Sequence, residues 1–493
     1  MVAFNPMQLF CGIKLWRLSQ WIAVATVISL CKSMPQAAPP LLKNVPFIFM
    51  WNAPTELCKT RYGLDLDLKY FQYVSSTLKT ATNQTVSIFY SDRFGIYPTV
   101  NEITGESFNG GLPQLVNLKK HYEQAKKDID FYIPYDNPGL AVLDLEDWRP
   151  QWVRNWAEKD IYRRYSTDLI QQRDLTLTFE EAYHFAKDEF EQAATSYFKN
   201  SLKLGKSLKH KRLWGYYLFP ECYNHDYNQT LHYTGRCPDI EIERNNQLQW
   251  LWNESTALYP SIYLEIILKA SPKALLFVRH RLQEAMRVAM LPNPSYSLPV
   301  YAYTQPVFKD KNTEYLSEID YVHTFGEAAA LGVSGIVQWG SLNFTKSMDT
   351  CVALRSHIEK TLNPYILNIT TATKLCSAAL CKNKGRCIRK NWNSSDYLHL
   401  NSQSFKIQRE KGGELSVNGK LSQKDVISLE EKFTCLCFTK EPCNERSILN
   451  NYSRGIYNKG FIFSLSVELV LGLFILIIFG GQVMYYNDPI RCF

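Results

Sequence analysis

The sequence lacks the motifs that hold the commonest cofactors and metals. It has no HExxH motif, no Walker loop and no glycine-rich dinucleotide pattern, which excludes the usual zinc proteases, P-loop NTPases and Rossmann dehydrogenases. GVSG at 332–335 lacks the second spacer of a nucleophile elbow and predicts a turn into a strand. The nine histidines are scattered, and His225 and His232 share a loop without ligand spacing. We therefore expect no cofactor and no metal.

Acidic residues are also in the minority. The chain carries 55 Lys and Arg against 47 Asp and Glu, a formal net charge of +8 that suits an anionic partner: nucleic acid, an acidic membrane or an acidic polysaccharide. Lys14 and Arg17 precede an apolar run over 21–30, which predicts a secretory signal peptide over residues 1–35. Export removes nucleic acid from the possible partners.

Modification sites and cysteines support export. Seven N-x-S/T acceptors predict N-glycans at Asn83, Asn228, Asn253, Asn343, Asn368, Asn393 and Asn451. Thirteen cysteines in an exported chain are expected to be mostly paired. Cys11, Cys31 and Cys492 lie in or beside the signal or in the tail, and spacing divides the other ten into groups of four and six. This even division predicts a domain boundary near Asn363-Pro364.

Short apolar runs alternate with helical patterns between the signal and that boundary. The strand-like runs cover residues 46–51, 86–90, 141–146, 213–219, 258–263, 299–304 and 335–340. The helical patterns cover residues 65–79, 118–128, 159–206, 272–291 and 319–331. The alternation predicts an α/β fold with a parallel sheet, and its length favours a TIM-like (β/α) barrel of seven strands over residues 36–365.

The chemistry of a β/α barrel lies at the carboxyl ends of its strands. The polar and aromatic side chains predicted there are Trp51, Tyr90, Glu146, Tyr217, Tyr259, Tyr303 and Trp339. About half of the aromatic ones are equally well explained as core fillers, because Tyr and Trp are common in interiors.

GLAVLDLEDW at 139–148 is the stretch in which we expect the centre of the catalytic site. A buried strand ends in acidic residues, and alternation along it directs Asp144 and Glu146 to one face. Two carboxyl groups this close cannot both ionise freely, so one proton is retained, which makes a general acid. The alternative is an acidic strand end that faces water. The apolar lead-in and the aromatic WRPQW that follows favour the catalytic interpretation.

Two segments follow the predicted barrel. Cysteine spacing over 366–445 resembles an EGF-like framework with a long insertion and suggests the pairs Cys376–Cys387, Cys381–Cys435 and Cys437–Cys443, although spacing alone does not fix connectivity. After a stalk over 446–460, an apolar stretch predicts a transmembrane helix over 461–482. A lipid-anchor signal remains the alternative, with Ser453 or Gly455 as attachment site.

Several long motifs in order resemble the hyaluronidase family, and within it the membrane-bound sperm-type members. These motifs are DLEDWRPQWVRNW (144–156), LWGYYLFPECYN (213–224), WLWNESTALYPSIY (250–263) and GVSGIVQWGS (332–341). The resemblance extends from about Phe47 to Cys443. It implies a seven-stranded barrel and endo-hydrolysis of hyaluronan at the β-1,4 bonds of N-acetylhexosamine.

The resemblance also assigns roles. Glu146 would protonate the leaving oxygen and later activate water, while Asp144 orients the substrate acetamido group, which attacks in place of an enzyme nucleophile and so retains configuration. Tyr217 would bind the acetamido group or the developing charge. Tyr259 matches a second cleft tyrosine, and Trp339 matches the wall that packs the acetamido methyl group. Arg149 is a candidate partner for substrate carboxylates, and Tyr97 and Arg93 are candidates for the lining of the groove.

Alternatives and departures accompany these roles. Arg149 could instead form a structural ion pair with Asp147 or Asp136. The family implies two barrel disulfides, Cys58–Cys351 and Cys222–Cys237. Departures from the family pattern are Leu145 for Trp, Glu221 for Asp, and Gln338 for an apolar residue in a buried strand.

We therefore expect a monomeric, membrane-anchored glycosidase whose catalytic domain is extracellular or lumenal, at the cell surface or on a sperm or acrosomal membrane. The rivals are a chondroitin-preferring hydrolase and a catalytically weak glycan-binding or adhesion protein. Basic clusters at 203–212 and 382–390 are interpreted as solvated faces, with glycan binding as the alternative.

Overall fold

Short buried parallel strands form the centre of the structure, a computed structural model that describes residues 36–228 and 232–443. The strands are β1 (Gln36–Ala37), β2 (Ile48–Asn52), β3 (Tyr73–Ser75), β4 (Val86–Tyr90), β5 (Thr99–Val100), β6 (Ser107–Phe108), β7 (Gly139–Asp144), β8 (Arg212–Tyr216), β9 (Tyr296–Ser297), β10 (Tyr301–Thr304), β11 (Val307–Phe308), β12 (Lys311–Tyr315), β13 (Gly335–Trp339), β14 (Gly385–Arg389), β15 (Phe405–Arg409), β16 (Leu415–Gly419) and β17 (Phe433–Cys437).

The α-helices alternate with these strands through most of the chain. They are α1 (Glu56–Tyr62), α2 (Leu118–Tyr132), α3 (Asp160–Arg173), α4 (Phe179–Leu208), α5 (Asp239–Gln247), α6 (Gln249–Glu254), α7 (Pro272–Val288), α8 (Glu318–Tyr321), α9 (Glu327–Ala330), α10 (Met348–His357), α11 (Asn363–Cys381) and α12 (Gln423–Lys432). Two π-helical turns, Val322–Gly326 and Ile358–Leu362, join α8 to α9 and α10 to α11.

Two parallel sheets carry the site. One has the strand order β10-β13-β2-β3 and the other the order β4-β7-β8. Single parallel bridges, Tyr217 with Tyr259 and Ser261 with Tyr303, connect β8 to β10 through the intervening segment. On the other side, the Ser75 hydroxyl accepts a hydrogen bond from the Val86 amide at 3.1 Å, which links the end of β3 to the start of β4.

Side-chain alternation divides the core into two layers. Along β7, Leu140 and Val142 pack with Ile48 and Met50 in an inner cluster made of strand residues and the 257–259 segment. The residue between them, Ala141, belongs to an outer cluster shared with the helices. Since parity is fixed along a strand, the next residue on the inner face of β7 is Asp144.

Two helical predictions were wrong. Residues 65–79 contain β3 in place of a helix, because the chain at 73–75 pairs with β2. The predicted helix over 159–206 is two helices, α3 and α4. They are separated where Thr178 forms a capping box with Glu181, a start signal inside an otherwise continuous pattern.

The predicted strand over 258–263 is irregular and is held only by single bridges. Pro260 within it has no amide hydrogen to donate, which explains why a regular ladder does not form.

The C-terminal cysteines pack against the end of a long helical run over 348–381. The predicted boundary at 365/366 falls inside its last helix, α11, which supplies Cys376 and Cys381. Among the described residues there are five disulfides, and they are the pairs expected above: Cys58–Cys351, Cys222–Cys237, Cys376–Cys387, Cys381–Cys435 and Cys437–Cys443.

The predicted signal peptide (1–35), the stalk, the span over 461–482 and the Asn451 acceptor lie outside the described residues. Within residues 36–228 and 232–443, no helix combines the length and apolarity needed to cross a bilayer.

Candidate active site

Asp144 and Glu146 lie together where β7 ends. Asp144 is the last residue of the strand, and its carboxyl group hydrogen-bonds that of Glu146. The Leu145 side chain between them is buried in the outer cluster, so the two acids share the inner face as the alternation predicted. Burial, and then the neighbouring Glu146 carboxyl group, raise the pKa of Asp144 well above its ordinary value. The Glu146 side chain is 48% exposed and is therefore open to a ligand.

Arg149 fixes the position of Glu146. Its guanidinium donates to the Glu146 backbone carbonyl oxygen at 2.7 Å and to the Glu146 Oε2 atom at 3.3 Å. Arg149 Nη2 also lies 3.9 Å from Glu221, whose other oxygen pairs with Arg154 at 3.1 Å. Arg149 is buried, and its partners are Glu146 and Glu221. The alternative for Arg149, a structural ion pair with Asp147 or Asp136, is not the one that the structure shows, since its ion-pair partners are Glu146 and Glu221.

Tyr217 lies immediately after β8, beside the carboxyl pair. Burial raises the pKa of its hydroxyl well above the ordinary value, and the charges of Glu146 and Asp144 add to that shift. The hydroxyl donates to Ser261 Oγ at 3.4 Å, and the ring packs edge-on against Tyr303 with centroids 5.2 Å apart. The Tyr217 hydroxyl is therefore a neutral hydrogen-bond donor held close to the two acids.

Tyr259 does not line the cleft as expected. It is fully buried in the inner cluster, and its hydroxyl donates to the Leu213 carbonyl oxygen at 2.6 Å, near the amino end of β8. Tyr263 occupies the expected position instead. It hydrogen-bonds Tyr217, and its ring stacks on Trp339 with centroids 6.5 Å apart. Both tyrosines belong to one aromatic run, and the irregular backbone around Pro260 concealed which of them faces the site.

Trp339 ends β13 and closes the opposite wall. Its indole N–H donates to the Tyr90 hydroxyl at 2.8 Å, and Tyr90 is paired in register with Asp144 on the neighbouring strand. Arg93 lies over the Tyr90 ring at 4.7 Å and donates to the Thr77 carbonyl oxygen at 3.1 Å. Sequence reasoning placed Tyr90 at a strand end but gave it no role, because the strand register that brings it beside Asp144 is invisible in one sequence.

Tyr97 does not lie on the groove. It is 2% exposed and stacks on Trp148 with centroids 5.2 Å apart. The long loop between β4 and α2 folds it inward, beneath the residues that follow Glu146. Tyr97 therefore supports the loop that carries Arg149 and makes no surface for a polymer.

Gln338 is fully buried next to Trp339, and neither its amide oxygen nor its amide nitrogen has a hydrogen-bond partner among the described residues. It has the parity of Ile336, on the outer face of β13, and it pairs in register with Trp51 and Thr304. Gln338 therefore places an amide without hydrogen bonds in the layer behind the site, on the face of β13 that points away from the cleft.

Sugar acceptors and metal-like groups lie apart from the pair. Five of the predicted glycosylation acceptors are exposed, namely Asn83, Asn228, Asn253, Asn343 and Asn393. Asn368 is half-buried, and its side-chain oxygen accepts from the Leu400 amide at 2.8 Å. Within the described residues, Cys381, Cys435 and Cys443 have ligand atoms within 4.8 Å of one another, but all three are in disulfides and offer no thiolate.

The site therefore combines an exposed carboxyl group, a second carboxyl group that retains a proton, and a neutral tyrosine donor, between two aromatic walls. Such a set can protonate a leaving oxygen and stabilise charge on a bound neutral polar group.

Comparison with known proteins identifies relatives of the whole described chain. A protein-family model described as Hyaluronidase matches residues 36–447. Hyaluronidase PH-20 of Homo sapiens is 49% identical over 430 residues, which cover 87% of this chain and 84% of that protein. Hyaluronidase-5 of Mus musculus is 50% identical over 436 residues, covering 88% and 82%.

A solved structure is similar as well. It is the crystal structure of bee venom hyaluronidase in complex with a hyaluronic acid tetramer, 28% identical, with a TM-score of 0.59 over 65% of this chain and 98% of that chain.

Proposed function

This chain belongs to the hyaluronidase family, and we propose that it cleaves the β-1,4 bonds of hyaluronan as an endo-β-N-acetylhexosaminidase. The relatives named above are hyaluronidases, and the similar bee venom enzyme binds a hyaluronic acid tetramer. The observation that carries the proposal for this chain is the Asp144–Glu146 pair at the open end of β7.

Glu146 acts as the acid and then the base. It is the more exposed carboxyl group, and Arg149 holds it from two sides without enclosing it. Glu146 gives its proton to the leaving glycosidic oxygen as the bond to the anomeric carbon breaks. In the second step it takes a proton from water, whose oxygen attacks the same carbon.

The substrate itself supplies the nucleophile. The acetamido carbonyl oxygen attacks the anomeric carbon, and water later opens the cyclic intermediate, so configuration is retained. In the free site, burial leaves the shared proton on Asp144. A bound acetamido N–H donates to Asp144 and stabilises its ionised form, which moves the proton to Glu146 where the leaving oxygen needs it.

Tyr217 and the aromatic walls hold the acetamido group. The neutral Tyr217 hydroxyl can donate to the acetamido oxygen, and its raised pKa keeps it protonated throughout the reaction. Trp339 and Tyr263 stack on one another and Trp339 is bound to Tyr90, which fixes an apolar surface for the acetamido methyl group. Arg93, partly exposed at the rim, is suited to substrate carboxylates.

The rest of the chain fits an anchored exported enzyme. The two sheets would close into a (β/α) barrel through the bridges at 258–261 and the Ser75–Val86 contact. An EGF-like module then follows over 366–445. We propose from the sequence alone a stalk over 446–460 and a transmembrane helix or lipid-anchor signal over 461–482, which would place a monomeric catalytic domain at a cell surface or on a sperm or acrosomal membrane.

The test is fragment release by the purified full chain from hyaluronan and from chondroitin over a range of pH. Greater release of reducing ends from hyaluronan supports the proposal. Greater release from chondroitin would move the assignment to the chondroitin-preferring hydrolase, since both polymers offer an acidic disaccharide with an acetamido group. Binding without release from either polymer would favour the adhesion protein.

A further inference from the structure

Positive charge is concentrated outside the catalytic part of the chain. Residues 376–443 carry 12 Lys and Arg against 7 Asp and Glu, a net charge of +5. Residues 36–375, which contain the carboxyl pair and both parallel sheets, carry 36 Lys and Arg against 37 Asp and Glu, a net charge of −1. The cationic character of the described protein therefore belongs to its C-terminal cysteine-rich part.

Part of this charge lies at one end of the β15–β16 hairpin, where β15 begins and β16 ends. Lys406 pairs in register with Asn418, and Lys420 follows directly after Gly419, the partner of Phe405, so both lysines lie at the same end of the hairpin. Phe405 and the half-buried Ile407 and Val417 have the opposite parity and face inward. Lys424 follows on α12, four residues after Lys420. We call Lys406, Lys420 and Lys424 the hairpin lysines.

The hairpin lysines are exposed, and the structure gives them no carboxylate partner among the described residues. Other exposed lysines of the same part are engaged, as in the 3.6 Å ion pair of Lys432 with Asp396. The hairpin is also rigidly placed. Tyr70 accepts from the Leu415 amide at 2.6 Å, and Lys69 pairs with Glu414 at 3.0 Å. The hairpin lysines are thus exposed on a hairpin that is bonded to the strand region.

We propose that the hairpin lysines bind a second stretch of the acidic polysaccharide that the catalytic site cleaves. This inference rests on the proposed function and extends it. A polymer with a carboxylate on every disaccharide offers regularly spaced anions, which suit unpaired lysines on an extended strand face. Anionic lipids are concentrated in the cytoplasmic leaflet, so an exported module faces few of them, and this favours the polysaccharide over a membrane.

The position of the hairpin predicts dependence on polymer length. The C-terminal part attaches near the amino ends of the strands, where Arg386 donates to the Gly332 carbonyl oxygen at 3.1 Å and to Ser334 at 2.7 Å, both before β13 begins. The carboxyl pair lies at the opposite ends. Only a chain longer than the cleft reaches both places, and for such a chain the second contact acts at high effective concentration.

The experiment compares long hyaluronan with an oligosaccharide that fills only the cleft, using the full chain. In K406E/K420E, KM for the long polymer should rise about tenfold at low salt, with kcat and the oligosaccharide kinetics unchanged. High salt should abolish the difference, because it screens the lysines. The matched control is K119E/K126E, the same charge change on exposed lysines of α2, which should leave KM unaltered.

Equal KM values for K406E/K420E and the control would overturn the proposal. So would binding of the hairpin lysines to phosphatidylserine vesicles with unchanged KM. Retention on immobilised hyaluronan is measured in parallel and does not depend on turnover. If the wild-type chain cleaves neither substrate, the proposed function fails, and retention still decides the second site: weaker retention of K406E/K420E than of the control supports it, and equal retention rejects it.

Discussion

At the scale of single residues, the chemistry depends on a spacing of two along one strand. Asp144 and Glu146 share the inner face of β7 because Leu145 between them is buried on the other side. Their proximity and the burial of Asp144 hold one proton on the pair. This much follows from alternation and could be predicted. The identity of Arg149's partners could not, because Glu221 arrives from a loop 72 positions later in the chain.

Replacing Tyr263 by Phe should lower kcat/KM by about tenfold or more, because it removes the hydroxyl that bonds Tyr217 and leaves the stack on Trp339 intact. The matched control is Tyr259→Phe. The Tyr259 hydroxyl binds the Leu213 carbonyl oxygen away from the site, so its loss should cost about 1 kcal/mol of stability and leave kcat/KM unchanged. Steady-state kinetics and urea unfolding separate the two. A loss of kcat/KM in Tyr259→Phe with an unchanged kcat/KM in Tyr263→Phe would show that Tyr259 is the tyrosine that lines the cleft.

Gln338→Met should raise the free energy of unfolding by about 1–3 kcal/mol, since it replaces a buried amide without partners by an apolar side chain of similar length. Fragment release should be unaffected, because Gln338 lies on the outer face of β13. Chemical denaturation checks the first outcome and a hydrolysis assay the second. A loss of stability would mean that the amide is hydrogen-bonded in solution.

At the scale of elements, continuous apolar runs predicted the buried strands well, whereas the helical periodicity predicted the helices less well. β2, β4, β7, β8, β10 and β13 all fall on predicted runs, because a strand buried on both faces reads as a continuous apolar stretch. β3 was missed because three residues carry too short a pattern, and its existence depends on pairing with β2. The break between α3 and α4 was missed although Thr178 and Glu181 carry a capping-box signature.

Removal of β1 tests an element that the sequence did not predict. The Ala38 carbonyl oxygen accepts a hydrogen bond from the Arg386 guanidinium at 3.3 Å, and the Gln36 side-chain amide donates to the Phe438 carbonyl oxygen at 2.8 Å. The segment of β1 therefore links the strand region to the C-terminal part. A secreted chain that begins at Phe47 should therefore melt several degrees lower than one that begins at Gln36, as about 1–2 kcal/mol are lost. Equal melting temperatures would show that β1 contributes nothing.

At the scale of the whole molecule, the family resemblance anticipated the relatives and the two disulfides of the strand region, and the EGF-like spacing suggested the other three pairs. What one sequence did not show is continuity: the run over 348–381 passes from the strand region into the cysteine-rich part without interruption. Arg279, Glu327 and Arg389 reinforce this junction, with Glu327 fully buried between the two guanidinium groups. Such long-range contacts have no local signature.

Acid should destabilise the protein through its buried histidines. Burial lowers the pKa values of His121, His357 and His399 from 6.5 to about 4. The unfolded chain therefore binds protons more readily than the folded one, so stability is complete above about pH 6.5 and is lost as pH falls towards 4. Unfolding free energy should decline across this window, and His399→Gln should flatten the decline. A flat profile in the wild-type protein would contradict the burial of these rings.

Glu146 is the proton donor of the proposed reaction, and Glu146→Gln tests this role most directly. The amide keeps the shape and can still accept from Arg149, so the variant should fold and bind hyaluronan while reducing-end release falls by about a thousandfold or more. Release at close to the wild-type rate would contradict this role of Glu146, because the glycosidic oxygen would then receive its proton from another group.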